Sequence, residues 1–360
     1  MTGARDASDK ITLKTIADHV GTSVGTVDRA INNRPGISED MRRAVLKIAE
    51  DLGYEAQRRP YTRRRKEAPR IAVAYPRQPD SFYRVMDAGV CAGEAKFAPQ
   101  GVIVDKIRYH RPTPADAMES LSALDPSAYD ALALVAPGAE VNATIERFAT
   151  AGLPVVTVNS DTNCSARQLF IGADAKQSGC IAAEMLALMT HRAGAIVGYL
   201  DLGQTAPGIV RFSGLDEYMR TNYPNIEVLS CIDDTSEDME KSDRLASIIS
   251  MTNAVNGVFC TGPSSTVIVA NTLKSLGRGD IAVVGYDISP STYAAVREGW
   301  CHALIYQDPF QQGYLAVKLL ANHLRHGAAL KAGDASLENL IVTRGNIDRY
   351  YDPGLFADYK

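Results

Sequence analysis

Apolar residues near the start of the chain follow a helical spacing. Leu13, Ile16, Ala17 and Val20 fall at i, i+3, i+4 and i+7, which predicts a short helix with one apolar stripe. Gly21 follows, and glycine readily takes a positive φ just beyond a helix end. The pattern therefore predicts a helix that ends in a tight turn.

A second helix is predicted directly after this turn, with Ser23 as its N-cap. The positions that we expect it to bury are Val27, Ala30 and Ile31. Its outer face is small or polar: Gly25, Thr26, Asp28, Arg29 and Asn32. Such a face suits the DNA major groove, where arginine donates two hydrogen bonds to guanine. From these residues alone, a helical hairpin with its polar face in water is an equal alternative.

A third helix completes the predicted head. Ser38 is its expected N-cap and Gly53 its expected end. Its apolar stripe consists of Met41, Val45, Ile48, Ala49 and Leu52. Three small helices over about fifty residues make a marginal core, so the head is in the size range that barely stabilises itself.

From Ile71 onward, short β-branched runs alternate with helical patterns. The predicted strands are Ile71–Ala74, Val102–Val104, Ala131–Val135, Val155–Val158, Leu169–Gly172, Ile196–Leu200, Val228–Ser230, Val258–Cys260, Ile281–Tyr286 and Ala303–Ile305. Helical patterns include Phe82–Phe97, Gln177–Thr190, Arg211–Tyr223, Ser264–Leu276 and Phe310–His326. Apolar strands separated by helices are typical of parallel sheets covered on both faces. The number of strands exceeds one such unit, so we predict a small all-α helix-turn-helix head plus an α/β body of two doubly wound parallel-sheet lobes.

Polar and aromatic residues follow the predicted strands, where open parallel sheets bind their ligands. They are Asp80, Phe82 and Tyr83 after the first strand, Asn159, Ser160 and Asp161 after the fourth, Arg211 opening the helix after the sixth, Asp287 after the ninth and Gln307 after the tenth. Carboxylates, amides, a guanidinium and aromatic rings suit a small polyhydroxylated ligand. Each residue taken singly is more simply a cap or a loop-terminating polar group. Their joint placement at strand ends favours a ligand site.

Charge is unevenly distributed along the chain. Residues 1–70 hold 15 Lys and Arg against 10 Asp and Glu, whereas the remaining 290 residues hold 23 against 32. A basic head on an acidic body predicts that nucleic acid binds at one end. The linker from Glu55 to Arg70 alone holds seven basic residues. It is either a solvated connector or a segment that orders in a narrow minor groove.

Other chemistries lack their sequence signatures. The G-x-S-x-G at residues 21–25 follows a helix, whereas a hydrolase nucleophile needs a preceding strand. Phosphate-binding glycine patterns and Cys/His metal spacings are absent, so we expect no cofactor, no metal and reduced, mostly buried cysteines. Asp80 and Asp161 could form a glycosidase pair, but sugar binders also hold hydroxyls with carboxylates. With no membrane-spanning run or signal segment, we expect a cytoplasmic protein.

The N-terminal pattern resembles a known family. The ungapped run from Thr12 to Tyr54 is similar to the DNA-binding head of lactose repressor family regulators. The resemblance implies that Val24, Gly25 and Arg29 read bases. It implies phosphate contacts for Thr12, Ser23, Thr26 and Asn32. One departure from the family is Asp28, where serine is commoner. A carboxylate that faces a phosphate is repelled by it unless the carboxylate pairs with a neighbouring cation such as Arg29.

The same family implies a role for the linker. In it, this region forms a hinge helix whose leucine wedges into the operator minor groove. Here Arg63 occupies the leucine position and Pro60 lies near the helix start. Since a wedge needs an apolar side chain, we predict that Arg63 or its neighbours insert electrostatically, with less kinking of the DNA.

The resemblance extends over the body. Segments 283–290, 305–309 and 211–214 are similar to effector-pocket segments of periplasmic sugar-binding proteins and lactose-type repressors. By this resemblance Arg211, Asp287 and Gln307 bind sugar hydroxyls, Asp80 and Asn159 line the other lobe, and Phe82 and Tyr83 stack on the ligand. Gly262 stands where the family often has a polar residue, which implies a ligand of different shape.

These observations predict three segments: a DNA-binding domain at 1–54, a basic hinge at 55–70, and a two-lobed effector-binding and dimerisation domain at 71–360. We expect a non-enzymatic homodimer that binds a double-stranded operator, with a sugar or polyol controlling its affinity. The alternatives are a carbohydrate-active hydrolase and a stand-alone solute-binding protein. The latter would lack the head and carry an export signal.

Overall fold

The structure is a computed structural model that describes residues 12–31, 37–52, 68–77, 80–201, 206–233, 238–251, 254–331 and 335–357. The chain divides into two compact units, residues 1–62 and 63–360. Within the described ranges, no helix is both long and apolar enough to cross a bilayer.

The first unit contains the three predicted helices, α1 (Leu13–Val20), α2 (Val24–Ile31) and α3 (Glu39–Asp51). Their core consists of Ile16, Ala17, Val27, Ala30, Val45 and Ala49, with Leu13, Val20, Ile31, Ile37, Met41, Ile48 and Leu52 packed around it. Gly21 ends α1 with φ of 71°. The predicted apolar stripes and the turn are therefore confirmed, while Gly53 lies outside the described residues.

The second unit contains two sheets that are covered by helices. Its strands are β1 (Arg70–Pro76), β2 (Ile103–Tyr109), β3 (Ala131–Leu134), β4 (Val155–Val158), β5 (Leu169–Ala173), β6 (Gly194–Asp201), β7 (Ile226–Asp233), β8 (Val255–Cys260), β9 (Ala282–Tyr286), β10 (Ala303–Tyr306), β11 (Ser336–Leu337) and β12 (Leu340–Thr343). Its α-helices are α4 (Asp80–Phe97), α5 (Pro114–Leu121), α6 (Asn142–Thr150), α7 (Ala175–Met189), α8 (Ala206–Asn222), α9 (Asp238–Met251), α10 (Pro263–Leu276), α11 (Pro290–Glu298) and α12 (Pro309–His326).

Each sheet forms the centre of one lobe. In the described residues the N-lobe sheet has the order β11-β5-β4-β3-β1-β2, and its pairs are parallel. The C-lobe sheet has the order β12-β10-β9-β8-β6-β7 and is parallel apart from the antiparallel edge strand β12. The predicted class of two parallel-sheet lobes is confirmed.

The chain passes between the lobes three times. It leaves the N-lobe after β5, so α7 packs in the C-lobe core through Ala182 and Leu186. It returns after β10, so α12 packs in the N-lobe core through Val317 and Leu320. The last passage runs from β11 in one sheet to β12 in the other. The passage after β10 begins at Gln307, which is one of the predicted site residues.

Glycines allow two helix pairs to approach closely. A Cβ at Gly89 of α4 would lie 2.0 Å from the carbonyl oxygen of Phe310 in α12. In the C-lobe, a Cβ at Gly179 of α7 would lie 2.0 Å from the carbonyl oxygen of Arg211 in α8. Backbone atoms cannot yield as a flexible side chain can, so both helix pairs depend on glycine. The second contact also sets the position of Arg211.

One predicted boundary is wrong in a way that concerns the site. Arg211 was expected to open its helix, but α8 begins at Ala206 and places Arg211 in its second turn. Pro207 lies in the first turn of α8, where proline is well tolerated because its missing N–H is not needed there.

Candidate functional site

Three polar side chains of the C-lobe form one buried network. Arg211 donates from Nη2 to Oε1 of Gln307 at 2.8 Å, and Gln307 donates from Nε2 to Oδ2 of Asp287 at 2.7 Å. Arg211 also donates from Nη1 to the carbonyl oxygen of Thr261 at 2.7 Å. The three side chains are only 3–6 % exposed. The structure thus brings together the guanidinium, amide and carboxylate that the sequence predicted to act together.

The network is supported from beneath and from the side. The ring of Tyr286 lies 4.2 Å from Arg211 Cζ, a cation–π contact that holds the guanidinium flat. Gln312, which is fully buried in α12, donates from Nε2 to the carbonyl oxygen of Gln307 at 3.0 Å. Because α12 belongs to the N-lobe core, this hydrogen bond joins the C-lobe network to the other lobe.

Burial changes the acidity of the site. Desolvation raises the pKa of Asp287 from 3.8 to about 6, although Arg211 and the hydrogen bonds from Gln307 oppose the shift. Burial also raises the pKa of Tyr286 to about 12, so this phenol stays neutral. A buried carboxyl group whose ionisation is unfavourable is more typical of a binding or catalytic site than of a residue that stabilises the fold.

The backbone at the strand ends is left-handed. Asn159 after β4, Asp287 after β9 and Asp308 after β10 have φ of 61°, 53° and 51°. Among residues with a side chain, Asn and Asp tolerate this conformation best. The local fold therefore explains why short amides and carboxylates occur at these strand ends, where glycine would provide the same turn without a functional group.

The N-lobe contributes Tyr83 and Asn159. Tyr83 is 2 % exposed, and Asn159 Nδ2 donates to its hydroxyl at 3.4 Å. Burial raises the pKa of Tyr83, and the hydrogen bond from Asn159 opposes this shift. Asp80 begins α4, and its side chain lies outside the described part of the structure.

Phe82 packs directly against Tyr83. Its ring is 6 % exposed and belongs to the N-lobe core, where it meets Tyr83 edge-on with centroids 5.1 Å apart. Tyr83, at 2 % exposed, belongs to the same core. Both rings are therefore buried, and the stacking on a ligand that the resemblance implies for them stays a prediction.

A cavity of about 540 Å³ lies between the lobes. Asn159, Asp161 and Gln307 line it together with Phe170 of β5 and Val210 of α8. Its volume is in the range of small-molecule sites.

Asp161 is engaged on both oxygens, since Thr157 donates to Oδ1 at 2.6 Å and Arg167 forms an ion pair with Oδ2.

Sequence reasoning did not identify several residues of this site. Thr261 acts through its carbonyl oxygen, which no side-chain pattern reveals. Tyr286 ends a predicted strand and Gln312 lies inside a predicted helix, and neither position has a pattern that indicates a ligand site. Phe170 carried one detectable signal, because Gly172 two residues later lies on the same face of β5 and leaves room for a ring.

On the head, α2 leaves its expected reading positions uncovered. Val24, Gly25 and Arg29 are exposed, and Thr26 is partly exposed. A Cβ at Gly25 would lie 3.9 Å from Nη1 of Arg29, so the guanidinium lies beside the bare glycine. Arg42 donates to the carbonyl oxygens of Arg29 and Ala30 and thereby binds the carboxyl end of α2.

Two of the expected phosphate contacts are helix caps. Thr12 accepts a hydrogen bond from the backbone N–H of Thr15, and Ser23 accepts one from the N–H of Thr26. Both caps are exposed, which leaves their hydroxyls accessible. Asn32, Arg63 and the hinge predicted at 55–70 lie, apart from residues 68–70, outside the described residues.

Comparison with known families assigns both parts of the chain. Residues 71–328 match the periplasmic binding protein domain, and residues 12–57 match the bacterial regulatory proteins of the lacI family. A curated relative is the "Probable HTH-type transcriptional repressor ExuR" of Bacillus subtilis. It is 23% identical over 289 residues, which cover 77% of this chain and 81% of the relative.

Solved structures share the fold of the body. A solute-binding protein of an ABC transporter from Burkholderia graminis, crystallised with D-arabinose, superimposes with a TM-score of 0.70 at 20% identity, covering 80% of this chain and 99% of that one. GanP, a glucose-galactose binding protein from Geobacillus stearothermophilus, superimposes with a TM-score of 0.68 at 19% identity, covering 78% and 99%.

Proposed function

The chain belongs to the lacI family of bacterial regulatory proteins, with a periplasmic binding protein domain as its body, and we propose that it is a repressor whose operator affinity is controlled by a small sugar or polyol. In this proposal the exposed face of α2 reads the operator. The cleft between the lobes binds the effector, and the protein acts as a cytoplasmic homodimer without enzymatic activity.

The buried Arg211–Gln307–Asp287 network is the observation that carries the effector proposal. Gln307 lines the interlobe cavity and is hydrogen-bonded to both Arg211 and Asp287. A charged donor, an amide and a charged acceptor form a set that takes neighbouring hydroxyls in paired hydrogen bonds. Arg211 Nε and the fully buried Ser160 Oγ make no hydrogen bond within the described residues. Such groups are costly unless a ligand satisfies them.

The relatives support the same proposal from two directions. The repressor ExuR aligns with 77% of this chain, which supports DNA-binding regulation. The D-arabinose complex shares the fold of the body, which supports a sugar in the corresponding cleft. Asp161, the carboxylate proposed for glycosidase chemistry, is held by Arg167 and Thr157, which favours binding over cleavage.

We propose that effector binding and operator binding are coupled through the two lobes and the three segments that join them. An effector changes operator affinity only to the extent that it prefers one arrangement of the lobes. Gln312 and Gln307 connect α12 of the N-lobe with the C-lobe network, so a ligand bound there contacts groups that belong to both lobes. We propose that this arrangement acts on the heads through the basic hinge, and that two heads are needed because one has too few contacts for specificity.

The proposal is tested by measuring DNA binding and sugar binding on the same full-length protein. An operator is first selected from random duplex DNA. D-aldoses and polyols are then screened by thermal shift, where a ligand at 100 times its Kd stabilises by about 2.7 kcal/mol. We expect a stabilising sugar to change operator affinity by about 5–150-fold. A stabilising sugar that leaves operator affinity unchanged would contradict effector control.

Effector affinity is expected to depend on pH through Asp287. The folded pKa of about 6 is raised above the ordinary 3.8, so the carboxylate is ionised at pH 7.5 and becomes protonated as the pH falls through 6. Protonation removes the charged acceptor, so affinity should be constant above pH 7 and fall about tenfold per pH unit below 6. Calorimetric titration between pH 5 and 8 measures this, and a flat profile would exclude Asp287 as the acceptor.

A further inference from the structure

Phe170 faces the cleft instead of the N-lobe core. Its strand neighbours Leu169 and Ile171 belong to the core that includes α4 and α12, and alternation along β5 turns Phe170 and Gly172 to the opposite face. The ring is partly exposed and lines the interlobe cavity. A large aromatic side chain in this position is available to a ligand.

Gly172 creates the space for this ring. A Cβ at Gly172 would lie 2.5 Å from Cζ of Phe170 and 3.1 Å from both Cε atoms. The ring therefore lies across the bare glycine and covers the strand. This arrangement holds the phenyl face in one orientation and forms an aromatic platform, which we define as Phe170 on Gly172.

The platform lies beside the hydrogen-bonding residues rather than among them. In the N-lobe sheet β5 is the neighbour of β4 on the side toward β11, and β4 ends at Asn159. The same cavity that contains Asn159 and Gln307 extends over Phe170 and reaches Val210 of α8. Val210 is 44 % exposed, so the opposite lobe also offers an apolar surface here.

We propose that the cleft contains an apolar subsite next to the sugar site, and that the effector is a glycoside rather than a free monosaccharide. The sugar ring binds at the Arg211–Gln307–Asp287 network, and a second ring attached to it lies with its C–H or π face on the Phe170 platform. Aromatic residues bind such faces through dispersion and C–H contacts, which hydroxyl-binding groups do not provide. This inference rests on the proposed function, because it extends the same cleft.

The test is isothermal titration of the full-length protein with matched ligands. The probes are D-arabinose, D-xylose, D-glucose and D-galactose, each with its α and β methyl and phenyl glycosides. We expect at least one phenyl glycoside to bind about tenfold or more tightly than its parent sugar, as follows from burying one ring against apolar surface. The methyl glycoside of that sugar should bind only slightly more tightly than the parent sugar.

Variants of the protein show which residues cause the tighter binding of the phenyl glycoside. Phe170→Ala should abolish the phenyl advantage, so that the phenyl glycoside binds no more than about twofold more tightly than its parent sugar. Gly172→Ala should reduce it as well, because the new methyl displaces the ring, whose flexible end can move without unfolding the strand. Leu188→Ala, which removes an exposed apolar side chain from α7 outside the cavity, is the matched control.

The outcomes separate this inference from the proposed function. If a parent sugar binds as tightly as all of its glycosides, or if the phenyl advantage survives in Phe170→Ala, the apolar subsite is wrong and sugar sensing stands. If none of the sugars or glycosides binds, sugar sensing fails and the subsite fails with it.

Discussion

Replacing Asp287 with asparagine is expected to reduce effector affinity by about 100-fold while making the effector-free protein more stable at neutral pH. The affinity falls because charge-assisted hydrogen bonds, worth about 1.5–3 kcal/mol each, become neutral ones. Asparagine has nearly the same shape and also tolerates the left-handed φ of 53° found here. The backbone at the end of β9 should therefore be undisturbed.

The gain in stability follows from linkage. The folded pKa of about 6 lies above the ordinary 3.8, so the folded state binds a proton more strongly than the unfolded state. The ionised carboxylate consequently reduces the free energy of unfolding by about 3 kcal/mol at pH values above 6, and this penalty disappears as the pH falls toward 3.8. Asparagine resembles the protonated form, so the variant should be more stable than the parent at pH 7.5 and nearly equal to it at pH 4.

Denaturant unfolding at the two pH values measures this difference. Asp280→Asn is a control with the opposite expected effect on the free energy of unfolding. Arg278 holds the pKa of Asp280 below its usual range, so this substitution should destabilise the folded protein slightly. If Asp287→Asn binds the effector as tightly as the parent protein does, the carboxylate does not hold a hydroxyl.

Local patterns in the sequence were sufficient for most of the fold. The ten predicted strands, the three predicted head helices and the five helical patterns of the body are all present, because long apolar runs and helical periodicity report burial directly. The strands β11 and β12 were missed. The first is two residues long, and the second has three of its four residues partly or fully exposed, so neither has a strong apolar pattern.

The exchange of helices between lobes could not be predicted from local pattern. Nothing in the composition of α7 or α12 distinguishes a helix that packs on the preceding sheet from one that packs on the other. That choice is made by contacts distant in sequence, such as Gly89 against Phe310 and Gly179 against Arg211. A single sequence does not reveal such pairings.

The candidate site was predictable where function lies in a side chain directly after a strand. Asp287 and Gln307 satisfy this rule, and the structure joins them at 2.7 Å. The rule did not distinguish Phe82 from Tyr83, because a helix start does not indicate how two adjacent rings are directed, and both are buried in the N-lobe core. It also missed Phe170, which lies within a strand and is recognisable only through the geometry of Gly172.

Arg29→Ala is expected to remove the preference of the protein for its operator while leaving sugar binding unchanged. The side chain is exposed on α2 beside Gly25, in the position from which an arginine reaches a guanine edge. Loss of one bidentate contact costs about 1–3 kcal/mol in each half-site, and a dimer loses it twice. Operator affinity should therefore fall by at least about thirtyfold, and in the upper range by about ten-thousandfold.

Arg43→Ala is the matched control, because it removes the same charge from α3, where Arg43 is exposed and pairs with Asp40. Both variants should weaken binding to random DNA by a similar, salt-dependent factor, since that component depends on phosphate contacts. Only Arg29→Ala should also lower the ratio of operator to random-DNA affinity, measured by fluorescence anisotropy at fixed salt. An equal loss on both DNAs would mean that Arg29 contacts phosphate, and that base reading belongs to other residues of the head.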